Sequence, residues 1–227
     1  MKSAAIILLA SVWCATAAHA HEDCYSPEFS QINNSWGTAT IKTTRTYFRD
    51  KADKATSSYV LKGKQVVVRQ RDGDAACATY QGKDGAGNSG WIKSTDLAES
   101  PKKDLGLKPW LGKWASSKLN NLVFKKSPKP DWLSVLGEAS GYAVGQAQSD
   151  EPMYAGGFEG VAPIVEGTLG FTQTDDHQFQ PYDEKARDKA ICAIHFHILS
   201  SRYLMAEDSN NCGGAHISFS YLYVKTN

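Results

Sequence analysis

Short apolar segments separated by turn-forming residues constrain this fold more than any other feature. Such segments lie at 57–61, 64–70, 76–81, 89–94, 191–199, 202–207 and 216–224. They are rich in Val, Ile, Tyr and Phe, and clusters of Gly, Asp and Asn separate them, which is typical of antiparallel strands. Helix signals are scarce, and 183–190 reads as a short polar helix or loop. The sequence therefore predicts an all-β protein made of meanders.

The first 20 residues have the pattern of a secretory signal peptide. A positive start precedes an apolar stretch at 4–18, and Ala18-His19-Ala20 has the small-x-small pattern of a cleavage site. The apolar stretch is shorter than the roughly 20 residues that span a bilayer. We therefore expect cleavage after Ala20 and export to the periplasm of a Gram-negative bacterium or to the medium.

Charge narrows the classes of partner. The chain has 25 basic and 24 acidic residues, and removal of Lys2 with the leader would make the two counts equal. Nucleic acids and anionic membranes select for a basic surplus, which this protein lacks. The sequence therefore predicts no nucleic-acid partner and no membrane insertion.

Four cysteines remain once Cys14 leaves with the leader, namely Cys24, Cys77, Cys192 and Cys212. An even number in an exported chain indicates disulfides, and four cysteines allow three pairings. Two lie early and two late, which favours Cys24–Cys77 and Cys192–Cys212. A four-cysteine zinc site is the competing interpretation, but the sequence has no C-x-x-C pair.

The chain divides where 98–108 interrupts the apolar pattern with a proline, a charge cluster and a glycine. The predicted organisation is a signal peptide at 1–20, a first β domain with an N-terminal extension at 21–100, a linker at 101–108 and a C-terminal β domain at 109–227.

Three segments of the first half occur in the order found in a known domain. TYFRDKADK (46–54), the strands of 57–74 and GWIKSTDL (90–97) together resemble a bacterial SH3-like domain. The resemblance implies a small barrel that closes in a one-turn corner after the Gly-Trp-aliphatic strand. The Gly-rich insertion 82–90 and Cys77 depart from the usual pattern of that family.

The same resemblance suggests ligand-binding residues. In such domains, aromatic residues beside the variable loops often bind cell-wall peptides or other peptide ligands. Here this implies Tyr47, Phe48, Tyr80 and Trp91 as candidates. The alternative use is structural, because so small a barrel needs aromatic side chains to fill its core.

The second half carries two further resemblances. Gly112-Lys113-Trp114 resembles the first-strand signature of lipocalin-like barrels. The tail 203–225, with GGFEGVAP (156–163) and Cys192, resembles a group of exported bacterial β proteins that end in a Cys-Gly-Gly turn and a Phe-Ser-x-x-Tyr strand. These resemblances imply a larger antiparallel β-barrel or sandwich domain and no particular activity.

The late disulfide requires a bend. In a meander of 191–199, 202–207 and 215–224, Cys192 and Cys212 lie at the same end but on strands about 10 Å apart. A disulfide needs a Cα separation of about 5.5 Å. The turn at 210–214 must therefore fold inward.

Histidines are the clearest candidates for chemistry. His195 and His197 share one face of a strand, so both imidazoles project together and could begin a zinc or copper site. His216 or His177 could supply a third ligand. The competing interpretation is two polar residues on a solvent face. Separately, cleavage after the leader would expose His21 as an N-terminal copper chelator.

Catalytic signatures are otherwise missing, since the sequence lacks a G-x-S-x-G elbow and Glu138, Glu159 and Glu166 read as loop carboxylates. We therefore expect a periplasmic or secreted binding protein without a cofactor. The leading hypothesis is an inhibitor or immunity-type protein whose partner is a cell-wall hydrolase or toxin. Alternatives are a peptidoglycan- or peptide-binding module, a metal-binding protein or enzyme using His195 and His197, and a small-ligand carrier.

Overall fold

Antiparallel strands account for 59% of the described structure and helix for only 4%, which confirms the predicted all-β class. The computed structural model describes residue 24 and residues 36–100, 105–141, 154–174, 176 and 178–226. The predicted signal peptide, His21 and His177 lie outside these residues. In the described part of the chain, no helix is long and apolar enough to span a membrane.

The first half forms one seven-stranded sheet. Its strands are β1 (Gly37–Ile41), β2 (Arg45–Arg49), β3 (Ala55–Leu61), β4 (Gln65–Asp72), β5 (Ala75–Gln81), β6 (Gly87–Lys93) and β7 (Leu97–Glu99). Their order is β3-β2-β6-β5-β4-β1-β7, so among the described residues β3 and β7 are edges. The sheet is a half-barrel, more open than the small barrel that the sequence suggests.

The end of this sheet follows the predicted corner. β6 leads into a one-turn 3-10 helix at Ser94–Asp96, and Leu97 then enters the core. The amide of Lys42 donates to the Asp96 carbonyl at 2.8 Å, which fixes the corner to the end of β1. Of the Gly-rich insertion, residues 82–86 form the turn between β5 and β6, and residues 87–90 pair with β5 as the start of β6.

The second half forms a closed eight-stranded antiparallel barrel, so the barrel rather than the sandwich is present. Its elements are β8 (Gly112–Ala115), β9 (Asn120–Lys126), β10 (Trp132–Gly141), β11 (Tyr154–Val165), β12 (Thr168–Gln173), β13 (Phe179–Pro181), a 3-10 helix (Glu184–Lys189), β14 (Cys192–Ile198), β15 (Tyr203–Asp208) and β16 (Leu222–Lys225). Apart from the short β13, successive strands are neighbours, and β16 pairs with β8 to close an up-and-down ring.

Aromatic rings occupy the middle of this barrel. Phe158 packs edge-on against Phe219 with ring centroids 4.7 Å apart, and Phe124 packs edge-on against Phe196 at 5.2 Å. Because side chains alternate along a strand, Phe196 points inward while its neighbours on β14 point outward. Side chains thus fill the space in which a carrier would hold its ligand.

Both predicted disulfides are present, Cys24–Cys77 and Cys192–Cys212. The Cα atoms of Cys192 and Cys212 are 4.5 Å apart, as the inward fold of the turn requires. The predicted strand at 216–224 is shorter than expected, because only Leu222–Lys225 pairs. Upstream of it, Ser218 and Ser220 donate their hydroxyl hydrogens to the buried Asp208 carboxylate, which holds this segment across the barrel end.

The two sheets contact each other through a small buried cluster. Tyr203 and Met205 on the outer face of β15 pack with Trp36 and Val67 from the first half. The Tyr203 hydroxyl donates to the Gln65 carbonyl at 2.9 Å. Burial and hydrogen bonds therefore join the halves directly.

Candidate functional site

The four aromatic candidates of the first half lie in different environments. Phe48 and Trp91 are buried, and Trp91 packs beside the Cys24–Cys77 disulfide. Tyr80 is partly buried, and the Arg202 guanidinium lies 5.8 Å from its ring. Tyr47 remains exposed. Burial thus gives Phe48 and Trp91 a structural use, and Tyr47 alone presents an open ring.

Tyr47 belongs to an exposed group that we call the tyrosine patch, formed by Arg45, Tyr47, Tyr59 and Leu61. Tyr47 lies opposite Tyr59 across β2 and β3, with ring centroids 5.7 Å apart. Arg45 lies 4.2 Å from the Tyr59 ring centroid and donates to the Tyr47 hydroxyl at 3.2 Å. Sequence reasoning missed Arg45 and Tyr59, because their place beside Tyr47 depends on strand register.

A second candidate is an opening in the barrel wall, which we call the wall cleft. β11 pairs with β12 only at Ile164–Leu169 and Val165–Thr168, and the two strands then separate. Beyond that point β13 takes the place of β11 beside β12, at Phe171–Gln173, while β14 pairs with β12 along its whole length. The resulting cleft has a volume of about 710 Å³ and is lined by Gly157, Phe158, Glu159, Val161, Gln173, Phe179, Ile191, Cys192, Asn211, Gly213 and Gly214.

Apolar side chains dominate the wall cleft, and a few polar groups accompany them. Phe158 leads from the cleft into the barrel core, while Phe179 and Ile191 are 41% and 37% exposed. Glu159 contributes an exposed carboxylate, and Asn211 is held by a hydrogen bond from its amide to the Ala190 carbonyl at 3.2 Å. Such a mixture suits an apolar group with a nearby cation.

The motif residues of the second half converge at this cleft. GGFEGVAP supplies one side, and Cys192 with the Cys-Gly-Gly turn supplies the inner end. Gly156 and Gly213 bring two backbones together, since a Cβ on Gly156 would lie 1.7 Å from the Gly213 carbonyl oxygen. These glycines therefore shape the barrel end beside the cleft.

A third candidate is the histidine pair on the outer face of β14. Nδ1 of His195 and Nε2 of His197 are 3.2 Å apart. Tyr182 stacks on His195 with centroids 4.6 Å apart and planes inclined by 15°. His216 lies elsewhere, packed against Tyr154 with ring centroids 4.6 Å apart and planes inclined by 38°.

Burial sets the protonation of this pair. It lowers the pKa of His195, and it lowers the pKa of His197 to about 4 with a further contribution from the charge of His195. Burial also raises the pKa of Tyr182, and its hydrogen bond to Glu184 adds to this. Both imidazoles are therefore neutral at neutral pH. Among the described residues, no three His, Cys, Asp or Glu side chains are grouped to hold a metal ion.

Comparison with known proteins gives no assignment. No protein family, no curated protein and no solved structure matches the chain. The resemblances to SH3-like domains, lipocalin-like barrels and exported bacterial β proteins stay predictions. The functional argument therefore rests on the three surfaces described above.

Proposed function

We propose that this is an exported binding protein that captures a protein partner at the wall cleft. The observation that carries the proposal is the cleft itself, an apolar opening flanked by the exposed side chains of Phe179 and Ile191. Protein interfaces derive most of their affinity from a few anchors that fill desolvated pockets. The wall cleft offers such a pocket on a closed barrel.

The charge and volume of the wall cleft define which side chain of a partner would fit it. A volume of about 710 Å³ is enough for a large apolar side chain and part of its backbone. The Glu159 carboxylate favours a Lys or Arg close to that side chain, because opposite charges complement each other across an interface. The expected epitope is therefore an exposed apolar residue beside a basic one.

A cell-wall-degrading enzyme is the partner class that we propose. Two buried disulfides suit an oxidising compartment such as the periplasm or the exterior, where these enzymes act. Small exported inhibitors of lysozyme-like enzymes commonly use disulfide-linked β barrels, which is an analogy at the level of fold. The protein would then act as an inhibitor or immunity-type protein.

Removing the two exposed apolar side chains of the cleft should strongly weaken inhibition. We expect the wild-type chain to bind and inhibit at least one enzyme in a panel of purified muramidases, amidases and endopeptidases. Phe179→Ala with Ile191→Ala should weaken binding by about 30-fold, since a central anchor contributes about 2 kcal/mol or more. Surface plasmon resonance and a sacculus-lysis assay measure the two effects.

Val165→Ala is the matched control. Val165, on β11, is an exposed apolar residue like Phe179 and Ile191, but it does not line the cleft. It should leave affinity unchanged. If no enzyme of the panel binds, the partner class is wrong. If an enzyme binds and the cleft variant keeps full affinity, the cleft is not the binding site.

The tyrosine patch supports a second candidate function, the binding of peptidoglycan or of its peptides. Two exposed tyrosine rings with a guanidinium held between them can stack on sugar or peptide groups and pair with a peptide carboxylate. The patch spans β2 and the edge strand β3, and β3 is open on its other side among the described residues. This function differs from the first in both surface and ligand.

Sedimentation with purified sacculi tests the second function. The full chain should co-sediment, and Tyr47→Ala with Tyr59→Ala should reduce the bound fraction by at least fivefold. Tyr221→Ala is the control, because Tyr221 is an exposed tyrosine of the second half. A wild-type chain that stays in the supernatant, or a patch variant that sediments as well as wild type, would exclude this function.

A further inference from the structure

We propose that His195 and His197 form a two-nitrogen chelate for a divalent transition-metal ion such as Zn²⁺. Their facing nitrogens, Nδ1 and Nε2, are 3.2 Å apart. Two imidazole nitrogens bound to tetrahedral zinc at about 2.0–2.1 Å lie about 3.3 Å from each other. The pair therefore already has the separation that such an ion requires. This site is independent of the proposed protein binding.

The surroundings hold one ring in a fixed orientation. Tyr182 stacks on His195, and Gly170 lies opposite His195 in the register of β12 and β14. A Cβ on Gly170 would come within 2.9 Å of the Tyr182 Cβ and 3.0 Å of the His195 Cδ2. The missing side chain at Gly170 thus makes room for Tyr182 to stack on His195. Because the stacked ring is already held in place, binding an ion there orders less of the protein.

Movement of one proton accounts for the difference between the metal-free and the metal-bound histidine pair. Without metal, a single proton lies between the facing nitrogens, and one ring donates it to the other. When an ion takes that place, the donor ring carries its proton on its other nitrogen, and both facing lone pairs bind the ion. Imidazole nitrogen is a preferred ligand for Zn²⁺, Cu²⁺ and Ni²⁺.

Water would complete the coordination. Both histidines are only partly buried, so the pair remains accessible from the solvent side of β14. The described residues supply no third grouped ligand, which limits the expected affinity and leaves open positions on the ion. Such open positions distinguish a catalytic or exchange site from a closed structural one.

Calorimetric titration with ZnCl₂ tests the chelate. The chain is prepared without an affinity tag and with His21→Ala, because a free N-terminal histidine would create a competing site. We expect one ion per chain, and a loss of affinity of at least tenfold in both His195→Ala and His197→Ala. His216→Ala is the matched control, since His216 packs against Tyr154 away from the pair.

Equal affinity in the His21→Ala parent chain and in the His195→Ala and His197→Ala variants would overturn the proposal. A second measurement does not depend on the folding of any histidine-pair variant. With Cu²⁺ as the probe, the electron paramagnetic resonance spectrum of the His21→Ala chain should show coupling to two imidazole nitrogens. Coupling to fewer than two would equally overturn it.

Discussion

Alanine at position 156 should destabilise the second barrel by about 3 kcal/mol or more. The added Cβ would lie 1.7 Å from the Gly213 carbonyl oxygen and 2.7 Å from its carbonyl carbon. The obstacle is backbone on both sides, so no side-chain rotation relieves it. The turn beside Cys212 would have to move, and the disulfide and the Ser218–Asp208 hydrogen bond resist that movement.

Urea unfolding monitored by tryptophan fluorescence measures this effect. Gly141→Ala is the matched control, because its Cβ would be 3.7 Å from the nearest atom, the His216 carbonyl oxygen, and this is an ordinary contact. The control should shift the free energy of unfolding by less than about 1 kcal/mol. If the two variants are equally stable, the close approach of the two backbones is not what holds the barrel end.

Loss of the Tyr203 side chain should cost about 3–5 kcal/mol and separate the two halves. Tyr203 is fully buried between the sheets, packs in the cluster with Trp36 and Val67, and hydrogen-bonds to the Gln65 carbonyl. Tyr203→Ala would leave a cavity and an unsatisfied carbonyl at the contact. We therefore expect the single unfolding transition of the wild type to divide into two.

Differential scanning calorimetry resolves the transitions. Tyr203→Phe keeps the ring and removes the hydroxyl with its hydrogen bonds to the Gln65 and Gln81 carbonyls, so it should lower the stability by about 1–2 kcal/mol and keep one transition. Tyr221→Ala, an exposed tyrosine of the same half, should change little. One sharp transition in Tyr203→Ala, with an unchanged midpoint, would show that this residue does not couple the halves.

Local patterns in the sequence were enough to predict many of the strands and several details of the fold. Short segments rich in Val, Ile, Tyr and Phe between turn clusters predicted the parts of the chain that became β3 to β6, β14 and β15, because such residues favour strands. The one-turn corner that the resemblance to SH3-like domains implied after the Gly-Trp-aliphatic strand formed at Ser94–Asp96. The distribution of the four cysteines predicted both disulfides correctly.

The tail shows where local pattern failed. Residues 216–221 have the composition of a strand, yet Ser218 and Ser220 bind the buried Asp208 carboxylate instead of pairing with a neighbour. A buried carboxylate must be hydrogen-bonded, and this requirement outweighs strand propensity. The sequence offers no local sign that Asp208 is buried.

Sequence alone thus determined the all-β class, the two disulfides and the residues available for each surface, because these depend on periodicity, spacing and residue type. Tertiary structure decided which of those residues are accessible together. Trp91 is buried while Tyr47 is open, β11 leaves β12 to form the wall cleft, and His195 meets His197 without His216. Whether Tyr47 and Trp91 face solvent or core depends on the register of β2 with β3 and β6, since a one-residue shift in register moves every side chain to the opposite face. The wall cleft depends on β13 taking the place of β11 beside β12. For the histidines, the fold decides only that His216 lies apart, because His195 and His197 share a face through their i, i+2 spacing.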